Sequence, residues 1–166
     1  MKIAIYGQRI EDKYLSFVQL LFKLLIDRGV DVLVCDKFYA DLSQKIDLNS
    51  QIKTFTDHEG ISDVNFMFCI GGDGTLLKTI TYVRDNNIPI FGINTGRLGF
   101  LTSIATEEVE SAINDILAGE FDLDTRTLLS LDTENCLFGE VNYALNEITL
   151  QKKDTSSMIT IQVFLN

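Results

Sequence analysis

One stretch constrains the fold more than any other. Val64 to Ile70 is an almost unbroken apolar run, with Phe66, Met67, Phe68 and Cys69 inside it, and it leads straight into Gly71-Gly72-Asp73-Gly74-Thr75. Such a run reads as a strand buried on both faces. Leu76 to Arg84 then takes up helical spacing, so the glycines turn a strand into a helix. Three glycines in four positions permit positive φ and let another molecule approach the backbone. The first N–H groups of the helix are unpaired and carry partial positive charge, which suits a phosphate. Lys78 lies in the first helical turn, within reach of the same anion. A turn that binds nothing rarely needs three glycines.

The same alternation runs through the first two-thirds of the chain. Ile3 to Tyr6 is a short strand ending at Gly7. Between Tyr14 and Asp27, Leu15, Val18, Leu21, Phe22, Leu25 and Ile26 recur at amphipathic-helix spacing. Val30 to Val34 is a β-branched strand, Phe38 to Ile46 weakly helical, and Gln51 to Phe55 a short strand. Ile88 to Ile93 is the next strand, and Thr106 to Leu117 a helix closed by Gly119. Strands separated by helices imply parallel pairing. The predicted fold is α/β, a Rossmann-like open sheet with helices on both faces. Past Gly119, strands are expected over Phe121 to Asp132, Gly139 to Gln151 and Met158 to Leu165 with no helix between them. The division is therefore an α/β nucleotide-binding domain over 1–119 and the start of an all-β domain over 120–166.

Charge narrows the function. Among 166 residues there are 14 Lys and Arg against 24 Asp and Glu, a net charge of −10. Neutralising a nucleic-acid backbone takes clustered cations, so the acidity argues against a nucleic-acid partner, and none is expected. No apolar run approaches the roughly 20 residues of a membrane span, and no membrane partner is expected. Cys35, Cys69 and Cys136 are odd in number and widely spaced, so they read as buried free thiols in a reducing, cytoplasmic compartment.

Asp73 needs its own explanation, because a carboxylate in a phosphate loop repels its ligand unless it holds Mg²⁺, hydrogen-bonds a hydroxyl or takes a proton. Its alternative role is to cap the next helix. A second glycine-rich turn follows in Gly92-Ile93-Asn94-Thr95-Gly96-Arg97-Leu98-Gly99-Phe100-Leu101-Thr102. Its glycine spacings of four and three depart from the dinucleotide fingerprint. Asn94 and Thr102 can hydrogen-bond a ligand, and Phe100 can pack on a purine or in the core. Asn146-Glu147 follows Tyr143-Ala144-Leu145; neighbours in a strand point to opposite faces, so one of the pair can face the core. A buried Glu there needs a partner, which a ribose diol supplies; a surface Glu is the plain alternative. His58, the only histidine, reads as a loop residue, and Arg126 as structural.

Taken in order, Gly71–Thr75, Gly92–Thr102 and Leu145-Asn146-Glu147 resemble the signature of the NAD kinases. The first motif is shared with diacylglycerol, sphingosine and phosphofructokinase relatives; the second and third are more specific. The resemblance implies transfer of the γ-phosphate of ATP to the 2′-hydroxyl of the adenosine ribose of NAD, with a divalent metal (Mg²⁺) but no metal-ligating side chain assigned. Asp73 is then the proton acceptor, Gly74 contacts the dinucleotide, and Lys78 lies near the nucleotide. Phe100 lines the adenine side, and Asn146 and Glu147 bind the nucleoside portion of NAD. Thr75, Asn94, Gly96 and Thr102 complete the expected nucleotide-contacting set. A lipid or sugar kinase of the wider superfamily and a non-catalytic nucleotide-binding module are the alternatives.

Family members carry a later Gly-Ser-Thr-Ala-Tyr-like segment and often assemble through the β-rich domain. This sequence stops at Asn166 before that segment. The expectation is that the 166-residue piece is inactive or nearly so, and that the intact protein is a homo-oligomer.

Overall fold

A computed structural model describes residues 1–48, 51–96, 99–102, 104–153 and 158–164. The chain divides into two compact units, Met1–Asp124 and Thr125–Asn166. In the first, strands β1 (Lys2–Gly7), β2 (Asp31–Cys35), β3 (Lys53–Phe55), β4 (Phe66–Ile70), β5 (Ile90–Asn94) and β6 (Ile104–Ala105) form one sheet in the order β3-β2-β1-β4-β5-β6. Every pairing is parallel. The helices are α1 (Leu15–Asp27), α2 (Asp36–Ser43), α3 (Asp73–Val83) and α4 (Val109–Ala118).

The apolar runs account for the core. All of β4 is buried, as are Ile3, Ala4 and Ile5 of β1, so both faces of the central strands are covered. In α1, Val18, Leu21, Phe22 and Leu25 are buried, the single stripe the spacing predicts. From β1 the chain moves outward to β2 and β3; from β4 it moves the other way to β5 and β6. Right-handed crossovers in opposite directions put α1 and α3 on opposite faces. The crevice beyond the carboxyl ends of β1 and β4 is the switch point where open α/β sheets bind ligands.

Several boundaries differ from the sequence reading. The third helix starts at Asp73, not Leu76, because Gly72 is extended (φ −94°, ψ −172°) and its carbonyl already accepts from the Thr75 N–H at 2.9 Å. Asp73 therefore lies within the first turn of α3. In the second unit the three expected strands contract to β7 (Leu129–Ser130) and β8 (Tyr143–Ala144), paired antiparallel. Residues 158–164 hold no strand, and Leu165 lies outside the described residues. None of the described residues in that unit is buried, and a ribbon with no covered face does not extend.

Cys35 and Cys69 are buried, whereas Cys136 is exposed, so the reading of buried thiols fails for the third. Among the described residues no helix is long and apolar enough to cross a membrane.

Candidate functional site

The site is built at the junction of β4 and α3. The Gly71 N–H donates to the Ile93 carbonyl at 3.0 Å, which ties the end of β4 to β5. Gly71 has φ +154°, and a Cβ there would collide with the Thr75 side chain, so the turn requires glycine. Gly72 and Gly74 are exposed, and the first N–H groups of α3 have no intrahelical acceptor. A phosphate can therefore meet bare backbone at the positive end of a helix.

Asp73 is held by the second glycine-rich turn. Its Oδ2 accepts from the Phe100 N–H at 2.8 Å, and its Oδ1 from the N–H groups of Leu101 and Thr102, each at 3.0 Å. The Thr102 hydroxyl donates to Oδ1 as well, at 3.2 Å. These donors, led by the Phe100 and Leu101 N–H groups, hold the Asp73 carboxyl below the usual carboxylate range. At neutral pH it is an anion. Gly99 makes the approach possible, because a Cβ there would overlap the carboxylate itself.

Asn94, at the end of β5, organises the turn from beneath. Its Nδ2 donates to the Thr102 carbonyl at 3.2 Å and the Thr102 hydroxyl at 2.9 Å, while its Oδ1 accepts from the Gly96 N–H at 2.7 Å. Asn94 is 5% and Thr102 0% exposed. The two side chains thus bond to each other within the turn, and the Thr102 hydroxyl also bonds to Asp73. Phe100 is 98% exposed, so the core-packing alternative is wrong and its ring is open to a ligand. Thr75 accepts the Thr79 hydroxyl on its carbonyl at 2.9 Å. Lys78 projects from the exposed side of α3.

The structure therefore brings together Asp73, Gly74, Thr75, Asn94, Gly96, Phe100 and Thr102, with Lys78 further along α3. Arg97 and Leu98 of the second motif lie outside the described residues. Asn146 and Glu147 belong to the second unit, just past β8, and both are exposed, so neither faces a core. His58 stands apart from these residues; its Nε2 lies 3.2 Å from Arg84 Nη1.

Sequence reasoning missed the loop amides that hold Asp73, since backbone donors carry no residue signature; only Gly99 hinted at a close approach. It also missed a cavity of about 400 Å³ at the ends of β1 and β2, whose lining includes Arg9, Lys37 and Lys78. Those cations are too far apart in the sequence to form a pattern, although Arg9 and Lys37 each follow a strand end by two residues.

Comparison with known proteins agrees with this fold. The family profile described as the ATP-NAD kinase N-terminal domain matches residues 3–121. The NAD kinase of Cytophaga hutchinsonii is 39% identical over 167 residues, covering 100% of this chain and 57% of its own length. The NAD kinase of Christiangramia forsetii is 39% identical over 169 residues, covering 100% of this chain and 58% of its own. The chain thus spans somewhat over half the length of these relatives. A crystal structure of yeast NADH kinase complexed with NADH shares the fold, with a TM-score of 0.65 at 17% identity, over 77% of this chain and 41% of that one. Matched over residues 3–121, with its glycine-rich turns meeting at Asp73, this chain belongs to the ATP-NAD kinase family.

Proposed function

We propose that this chain carries the phosphoryl-transfer site of an NAD kinase, moving the γ-phosphate of ATP to the 2′-hydroxyl of the adenosine ribose of NAD to give NADP. The observation that carries the reading is an ionised Asp73 at the glycine-rich start of α3, facing the turn that ends in Thr102. The bare amides around Gly72 and Gly74 receive phosphate beside Thr75, with Lys78 further along the helix. Asp73 takes the proton of the attacking ribose hydroxyl. To do so it exchanges a loop N–H for that hydroxyl, and losing a donor strengthens it as a base. Phe100 covers the adenine, Asn94 and Thr102 hold the turn with Gly96, and Asn146 and Glu147 take the nucleoside portion. Positioning and charge do most of the work in such transfers.

The resemblance implies a divalent cation, yet the described residues do not fit a protein cage for one. No group of three His, Cys, Asp or Glu side chains converges among them, and both Asp73 oxygens already accept hydrogen bonds. The proton step rests on Asp73 alone. The free thiols fit the reducing cytoplasm, and assembly of the intact protein as a homo-oligomer belongs to the same reading.

The test is NADP formation from NAD, ATP and Mg²⁺, run on this chain and on one extended to the length of its relatives. NADP from the longer chain supports the reading, and silence from a folded longer chain overturns it. A nucleotide-binding module without turnover is the second reading, favoured by one observation: the described second unit buries no residue. ATP binding with no NADP from either chain would select it.

A further inference from the structure

We propose that the cavity beside Lys78 binds the phosphate chain of the donor, with Arg9, Lys37 and Lys78 supplying the positive charge. The cavity measures about 400 Å³, within the ordinary range of small-molecule sites, and also includes Tyr6, Tyr82 and Asp41 in its lining. The inference rests on the reading that this chain uses a phosphorylated donor.

Register brings one wall of the cavity to the turn that carries Asp73. Gly7 pairs with Ile70, so the segment after β1, which carries Arg9, leaves the sheet beside the Gly71–Thr75 turn. Lys37 sits at the second position of α2, directly after β2, the neighbour of β1 on its other side. Lys78 lies five residues beyond Asp73 on α3, a rise of about 7.5 Å. The three cations thus come from the exits of three adjacent strands. A chain of linked phosphates seated on them can extend to the start of α3, where the proton acceptor stands.

The charge at this place runs against the rest of the molecule. The chain has a net charge of −10, yet three of its 14 Lys and Arg residues line this one cavity. Among the described residues Asp41 is the only carboxylate in the lining, and Lys45 offsets it with Nζ 3.4 Å from its Oδ2. Among the described residues, Arg9, Lys37 and Lys78 side chains have no hydrogen-bond or ion-pair partner, so each retains its full donor capacity for an anion. An Arg presents a planar fork to phosphate oxygens, and two Lys add point charges. In an otherwise acidic chain, such a pocket concentrates polyanions locally.

The shared chemistry is a linear phosphate chain, whether from a nucleoside triphosphate or from inorganic polyphosphate. The test is calorimetric titration of the 166-residue chain with MgATP, tripolyphosphate, adenosine and NAD, using wild type, Arg9→Ala/Lys37→Ala and Lys13→Ala/Lys23→Ala. The last variant removes the same charge elsewhere, and circular dichroism checks that each is folded. The expected result is that ATP and tripolyphosphate compete, and that Arg9→Ala/Lys37→Ala weakens both by about tenfold or more while NAD affinity and the Lys13/Lys23 variant change less than about twofold. Competition by tripolyphosphate with much tighter ATP binding assigns a nucleotide donor; equal affinity assigns the phosphate chain alone. Absence of ATP and tripolyphosphate binding, equal weakening in both variants, or equal loss of NAD affinity overturns the proposal.

Turnover separates this proposal from the acceptor reading. A longer chain that binds ATP through Arg9 and Lys37 but leaves NAD unphosphorylated retains the cavity assignment and loses the acceptor. One that makes NADP with an unchanged KM for ATP in the Arg9/Lys37 variant does the reverse.

Discussion

The carboxylate of Asp73, in the first turn of α3, accepts the backbone N–H of Phe100, 27 residues further along the chain, at 2.8 Å. That bond joins the two glycine-rich turns into one structure. It also places the exposed ring of Phe100 beside a carboxylate that is ionised at neutral pH.

Asp73→Asn keeps the shape of the side chain and removes the proton acceptor. In a chain extended to full family length, NADP formation should fall by about 10²–10⁴-fold, the usual contribution of a positioned base. ATP affinity, measured separately, should stay within a few-fold. A fall in rate of less than tenfold would leave Asp73 as a helix-start and loop-holding residue only.

The loop should release in acid. Because the folded Asp73 carboxyl lies below its ordinary value of 3.8, its contribution to stability is present above that value and is lost as pH falls through the lower, folded one. The amide signals of Phe100 and Leu101 should therefore titrate together, with a midpoint below 3.8. In Asp73→Asn that transition should vanish. Titration of these amides at or above the ordinary value would contradict the hydrogen bonding described.

Gly99→Ala forces a methyl group against the Asp73 carboxylate. The expected cost is about 1–3 kcal/mol in a urea titration, typical of overpacking. In an Asp73→Ala background most of that cost should disappear, since the colliding atoms are gone. Equal costs in the two backgrounds would mean that the pair does not interact.

Asn94→Ala strips the turn of its inner support. The Gly96 N–H loses its acceptor and the buried Thr102 oxygens lose the Asn94 donor, so stability should fall by about 1–3 kcal/mol. Amide exchange across residues 99–102 should accelerate more than exchange in β1. Uniform acceleration throughout the first unit would indicate global destabilisation instead.

Thiol chemistry distinguishes the cysteines. Burial pushes the Cys69 thiol up to about 11, and Cys35 is also buried, while Cys136 is exposed. Brief treatment with iodoacetamide at neutral pH should add one label, mapped by mass spectrometry to Cys136. Rapid labelling at Cys69 would mean that β4 is open to solvent.

Much of the first unit was legible from residue order. The apolar run before Gly71 is hydrophobic enough to require burial on both faces, and the spacing in α1 predicts the stripe that is buried. The glycines of the first turn announce a close approach because no side chain fits at Gly71. The helix start was misplaced by three residues, since Gly72, Asp73 and Gly74 have weak intrinsic helix preference and only the extended Gly72 reveals the start. The long strands expected after Gly119 were read from β-type composition, which favours strands only where there is a face to cover; the described second unit has none.

By itself, the sequence determined the local elements of the first unit and the positions of its two glycine-rich turns, because periodicity and glycine sterics act over a few neighbouring residues. Strand order, the capture of Asp73 by the amides of Phe100, Leu101 and Thr102, and the meeting of Arg9, Lys37 and Lys78 at one cavity were decided by tertiary structure alone. Those relationships depend on which distant strands pair and in what register, and that is settled by the packing of the whole sheet.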